Sequence, residues 1–224
     1  MRTCVFDLET SGLYANSSIV LCAVIKEFAY DKPKKVEIVN VTPNTFKHKE
    51  ERDDGVAKKY VIRADKFKSW ETGKSDNYDV VKAIMDTLCG VWGDDRNTVK
   101  HDGFDIFVAH NGQYFDKAFL NSACLKYGLY PRLRFEKFID PVLLSRRHMK
   151  MARNSLASLI DYFDIEEEKT PIRFDHWLKA SLDGDKKSMD YIVEHCDADV
   201  DSLESVYRIT RKLVKGVDEK GSSY

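Results

Sequence analysis

The chain has almost no net charge: 36 Lys and Arg face 37 Asp and Glu over 224 residues, leaving −1. A polyanion is offered no overall attraction, which excludes a histone-like or polybasic binder. Proline is scarce, at 5 residues, and no repeat or low-complexity tract suggests a fibrous or disordered chain. The 5 cysteines (Cys4, Cys22, Cys89, Cys124 and Cys196) are odd in number and dispersed, and they form no C-x-x-C pair. A disulfide framework is therefore not indicated, and buried thiols in a reducing compartment are expected. No apolar run approaches the ~18 residues that cross a membrane. The opening MRTCVFDLET carries charge where a signal peptide needs an apolar stretch. The expectation is a cytoplasmic protein, in the host cytoplasm for a viral one, with no membrane partner.

What is present is an ordinary folded composition, 43% apolar and 12% aromatic. A chain of this length buries roughly 70% of its unfolded surface, enough for one sizeable core. A single domain over 1–215 is expected, followed by a polar tail over 216–224. Cys4 to Glu9, Ile19 to Ile25 and Val36 to Val41 read as strands, joined by short polar connections in an antiparallel meander. Residues 43–77 turn polar and read as an insertion that leaves the sheet, with a short hairpin at most. Beyond it the period changes to a helix near 79–91, a strand at 106–109, a helix over 115–127 and a strand at 135–139. Asp140-Pro141 has the form of an N-cap followed by proline at the first helical position. Helical patterns then cover 142–149, 155–163, 173–181 and 186–215.

Asp7 and Glu9 stand two apart on a strand and so share one face, while Cys4, Phe6 and Leu8 take the other. Such a pair is either a solvated strand end or a cation site. On the last helix, steps of 100° gather Met189, Ile192, Cys196, Leu203, Val206 and Tyr207 on one stripe, and Asp199 falls inside it. Asp190, Asp197, Asp201 and Glu204 project from the other side as solvated acids. An unpaired carboxylate on an apolar stripe is costly, so Asp199 calls for a metal or a base. Asp116 lines up with Phe119, Leu120 and Ala123, and is either a helix N-cap or part of the same set. His195 lies one turn before Asp199. Clustered oxygen donors without thiolates suit Mg²⁺ or Mn²⁺, and a pair of such ions is a common device for phosphodiester cleavage.

With these residues in place, the sequence resembles the DEDD (DnaQ-like) 3′–5′ exonucleases of the ribonuclease H-like superfamily. FDLETSGL is similar to the first motif, VAHNGQYFDKAFL to the second and YIVEHCDADVDSLESVY to the third, and the resemblance runs from Val5 to about Tyr207. It implies a three-layer α/β fold, with a central mixed five-stranded sheet (antiparallel meander, then βαβ) flanked by helices. It also implies that Asp7, Glu9, Asp116 and Asp199 hold two divalent cations and that His195 takes the proton of the attacking water. The family's histidine subtype has its base five positions before the last Asp, and its tyrosine subtype has a Tyr four before. Here a His stands at the tyrosine spacing, and Tyr191 is a second candidate one turn further back. By the same resemblance Thr10, Ser11, Gly12 and Leu13 grip the terminal nucleotide, and Asn111 and Phe115 line the other side.

Arg146, Arg147, Lys150 and Arg153 crowd into eight positions with no acid between Asp140 and Asp161, which is either a solvated face or a phosphate track. The expected activity is stepwise 3′–5′ release of nucleoside 5′-monophosphates from single-stranded or frayed ends, of DNA in preference to RNA. The substrate is thus a nucleic acid, with a separate polymerase or replication protein as a further expected partner. The alternatives are a ribonuclease H-like endonuclease, an RNA-trimming exoribonuclease and a catalytically silent nucleic-acid-binding module.

Overall fold

The structure is a computed structural model that describes residues 1–71, 77–93, 98–130, 133, 137–166, 171 and 173–214. The expected tail over 216–224 lies outside them. Strands β1 (Thr3–Thr10) and β2 (Val20–Phe28) pair antiparallel, and β1 pairs in parallel with β7 (Ile106–Val108) on its other side. β8 (Phe138–Ile139) continues the parallel half. On the far side of β2 lie β4 (Val56–Arg63), antiparallel, and then β3 (Lys35–Val41), parallel to β4 at the edge. The resulting order is β3-β4-β2-β1-β7-β8.

The fold class is as the resemblance implies, an α/β sheet of mixed direction, but among the described residues the sheet has six strands and not five. The extra strand is β4, which lies within the segment read as an insertion. Its position corrects that reading, and the meander with it, because β4 separates β3 from β2. The alternation of VAKKYVIR is blurred by Lys58 and Lys59, which are nearly fully buried. Both ammonium groups are neutralised by partners that only the folded chain supplies: Lys58 donates to Glu50 Oε1 at 3.0 Å, and Lys59 sits 2.6 Å from Asp197. Buried charge is tolerated when paired in this way.

The helices follow as α1 (Lys68–Glu71), α2 (Tyr78–Cys89), α3 (Asp116–Lys126), α4 (Pro141–His148), α5 (Leu156–Tyr162), α6 (Phe174–Asp183) and α7 (Lys186–Thr210). A small hairpin of β5 (Val91–Trp92) and β6 (Val99–His101) stands apart from the main sheet. α2 covers the face that carries Phe6, Ile25, Tyr60 and Ile62, with α3 beside it. α7 lies on the other face, over β1 and β2, its apolar stripe of Met189, Ile192, Cys196, Val200 and Leu203 buried. The acids on its flank are not simply solvated: Asp190 pairs with Arg63 at 2.7 Å, Asp201 with Lys26 at 2.7 Å, and Glu204 with the same Lys26 at 2.5 Å. This ladder fixes the helix along the sheet. Among the described residues no helix is long and apolar enough to cross a membrane.

Candidate active site

Strand β1 delivers Asp7 and Glu9 to the face beneath α7, and a bulge after Glu9 turns the chain into the 11–19 loop. The loop is closed by Ser11 N donating to the Ile19 carbonyl at 2.9 Å and Thr10 Oγ1 donating to the Gly12 carbonyl at 2.7 Å. Leu13 is left 73% exposed on the lip. The parallel pairing of β1 with β7 ends at Val5 and Val108. Past that point the Leu8 N–H is free to donate to Asp116 Oδ1 at 3.1 Å. Asp116 therefore turns from its own helix towards the sheet, and Phe115 occupies the N-cap position without a side-chain cap.

The loop before Asp116 needs two special residues. Asn111 adopts φ 58°, a left-handed conformation that Asn tolerates. At Gly112 a Cβ would come within 2.2 Å of the Ala109 Cβ and 3.1 Å of Asp116 Oδ2. Asp140 secures this loop by accepting from Asn111 N at 2.9 Å and Gln113 N at 3.2 Å while capping α4 through Val142 N.

α6 ends at Gly184 in a left-handed cap, and Asp185 caps α7 by accepting from Ser188 N at 2.8 Å. The turn lays α6 beside α7, so Trp177 stands edge-on to His195 with ring centroids 5.7 Å apart. His195 Nε2 lies 3.7 Å from Asp199 Oδ2 and 4.0 Å from Glu9 Oε1. Its Nδ1 is buried without a partner. Tyr191, the second candidate for the base, is directed elsewhere: it stacks on His176 and donates its hydroxyl to the Pro171 carbonyl.

Asp7, Glu9, Thr10, Ser11, Gly12, Leu13, Asn111, Phe115, Asp116, His195 and Asp199 all line one open cleft of about 640 Å³. Leu8, His110, Phe174, Trp177 and Leu178 complete it; Phe174, Trp177 and Leu178 lie outside the three motifs, and His110, though within the second, is given no role there. The basic residues Arg146, Arg147, Lys150 and Arg153 are exposed and do not line the cleft. Of the four, Arg146 lies close to the cleft residue His110, which bonds the Asn154 backbone; burial foremost, and that cation, lower the His110 pKa to about 4 although the backbone bond opposes them.

The electrostatics of the cleft are those of crowded acids. Burial pushes the Asp7 carboxyl far up, and Asp116, Glu9 and Asp199 raise it further. Burial lifts Glu9 to about 8 despite the Trp177 hydrogen bond, and lifts Asp116 to about 7. Asp199 is also raised, mainly by burial. Among the described residues no Lys or Arg forms an ion pair with any of the four. Acids held together without a cation favour protons or metal ions. Ligand atoms of Glu9, His195 and Asp199 lie within 4.8 Å of one another, and the oxygen-rich donor set fits a hard divalent ion.

Residues 59–211 match the family model of the RNase H superfamily, and the chain belongs to that superfamily. Among solved structures, a family B DNA polymerase from the hyperthermophilic archaeon Pyrobaculum calidifontis shares the fold, with a TM-score of 0.58 and 13% identity over 97% of this chain. The chain spans 25% of that polymerase. A nuclease in its apo form superposes more loosely, at a TM-score of 0.44 and 16% identity over 95% of this chain and 75% of that one. A sequence search of curated proteins gives no match.

Proposed function

We propose that the protein is a divalent-cation-dependent 3′–5′ exonuclease that acts on single-stranded or frayed nucleic acid, preferring DNA. The observation that carries this reading is the meeting of four carboxylates, drawn from β1, α3 and α7, in one cleft where, among the described residues, no lysine or arginine balances them. Asp7, Glu9, Asp116 and Asp199 would hold two Mg²⁺ or Mn²⁺ ions. Such ions, when bound, supply Lewis-acid stabilisation of the phosphoryl oxygens and an activated water.

The protein's own part is positional and protonic. Leu8 N–H orients Asp116, and Trp177 orients Glu9. With Nδ1 sealed in the core, His195 exchanges protons through Nε2, which faces the cleft between Glu9 and Asp199. Imidazole is suited to proton transfer near neutral pH, and His195 is accordingly assigned as general base. The exposed Leu13 offers an apolar surface to a terminal base, a contact indifferent to sequence.

The test is an end-labelled strand incubated with Mn²⁺, offered as single-stranded DNA, duplex DNA and RNA. A ladder of single-nucleotide steps, abolished by chelator and by Asp7→Ala, is the expected result. Internal cuts would favour the endonuclease reading instead. Hydrolysis that survives the chelator would remove the metal-based scheme altogether.

A further inference from the structure

Trp177 packs against the hydrophobic core. It is half-buried at the cleft wall, yet its indole N–H is spent on Glu9 Oε2 at 2.9 Å, a bond that joins residues 168 apart in sequence. Its ring also meets His195 at 5.7 Å and Tyr191 at 6.5 Å, both edge-on. One side chain on α6 thus touches a cleft carboxylate and the imidazole together. The outer surface of the same helix is apolar and uncovered: Phe174 is 74% exposed and Leu178 58% exposed, and both line the cleft with Leu13. Phe174 contacts the Trp177 ring at 6.2 Å.

We propose that Trp177 is a positioning residue that fixes the Glu9 carboxylate and the His195 ring, while Phe174, exposed on the outer side of the same helix, meets only the substrate base. A carboxylate with one oxygen tied to an indole N–H presents the other in a defined direction. Glu9 Oε1, the untied oxygen, is the one that faces His195 Nε2. Hydrogen-bond partners of metal-ligating groups typically set affinity or activity within a factor of about 10 to 100. The inference rests on the proposed function only for the identity of the substrate, since the Trp177–Glu9 link acts on cation binding with or without nucleic acid.

Mn²⁺ affinity of the full chain, measured by calorimetry, gives the direct test. Trp177→Phe keeps the ring and removes the donor. It should weaken Mn²⁺ binding about 10-fold and lower kcat with KM held within about twofold. In a Glu9→Gln background the same substitution should change Mn²⁺ affinity by less than about twofold, because the carboxylate it orients is gone. Phe174→Ala should do the reverse of Trp177→Phe, raising KM for single-stranded DNA and sparing kcat and Mn²⁺ affinity. Should Trp177→Phe fail to fold, the wild type suffices: of its three tryptophans, one indole N–H resonance should move on Mg²⁺ titration. Wild-type affinity in Trp177→Phe, an equal loss in the Glu9→Gln background, or stationary indole resonances would each overturn the proposal. A wild type that binds Mn²⁺ but cuts no nucleic acid would sink the proposed function and leave this link standing.

Discussion

At the scale of single residues, the cleft depends on groups whose chemistry is held in check by neighbours. Gly112 is one. A methyl at this position would collide with Ala109 and press on Asp116. Gly112→Ala is expected to cost about 1 to 3 kcal/mol in a urea melt. It should also reduce hydrolysis more than this loss of stability explains, since Asp116 must move. The acids themselves make a second prediction. Asp7, Glu9 and Asp116 hold their protons more tightly in the folded state than in the unfolded chain, where carboxyls titrate near 4. Below about pH 4 both states are protonated and these groups cost nothing. As pH climbs towards 8 the unfolded chain gains by ionising while the folded cluster resists, so their contribution to stability falls. A cation that binds the ionised cluster reverses the loss. The rise in melting temperature produced by Mn²⁺ over chelator should therefore be several-fold larger at pH 8 than at pH 5, read by calorimetry. At this scale Asp199 was legible in the sequence because a lone acid on an apolar stripe stands out. Trp177 was not, because its partner Glu9 is remote in the chain and an indole at helical spacing looks like any half-buried aromatic.

At the scale of elements, β4 shows why a pattern of alternation is an incomplete guide. Two lysines in its middle resemble a solvated loop until the acids that neutralise them are brought up from elsewhere. Glu50 is the hub of one such neutralisation: it accepts from Lys58, from the Tyr60 hydroxyl at 2.6 Å and pairs with His101 Nδ1 at 2.7 Å, while His101 Nε2 reaches the Thr87 carbonyl. Strand β4, hairpin strand β6 and helix α2 are joined through this one carboxylate. Burial alone would raise its pKa, but the hydrogen bonds led by His101 hold it at about 2. Its contribution to stability is present above the unfolded value near 4 and is lost as pH falls towards 2. Glu50→Gln should destabilise the fold by about 3 kcal/mol at neutral pH, because Lys58 is left buried without its counter-charge. The difference between variant and wild type should shrink as the pH of the denaturant melt is lowered through 4 to 2. The long helix, by contrast, was readable almost to its ends, since its apolar stripe persists over seven turns and Asp185 caps it locally.

For the whole molecule, a net charge of −1 conceals a division. Acids line the cleft and the flank of α7, while Arg146, Arg147, Lys150 and Arg153 stand exposed outside it, Arg146 close to His110. If those cations receive the phosphates of an entering strand, replacing all four with alanine should flatten the plot of log affinity against log salt by about 3, at roughly 0.7 per phosphate on a single strand. The effect should be the same for every base sequence. A solvated face would leave the slope unchanged.

By itself the sequence determined the alternation of strand and helix, the long last helix and the anomaly of Asp199 on its apolar stripe, because these are encoded in periodicity and in residue types whose burial needs a partner. The mixed sheet and the roles of Asp7, Glu9 and Asp116 came as what the family resemblance implies. Only the tertiary structure decided that β4 belongs to the sheet, that the acids of α7 form an ion-pair ladder, and that Trp177 and Asp140 hold the cleft in shape. Those features are pairings between distant segments. A local pattern records what a residue is and which way it faces, but the partner that makes a buried charge or a spent donor affordable exists only once the chain has closed around it.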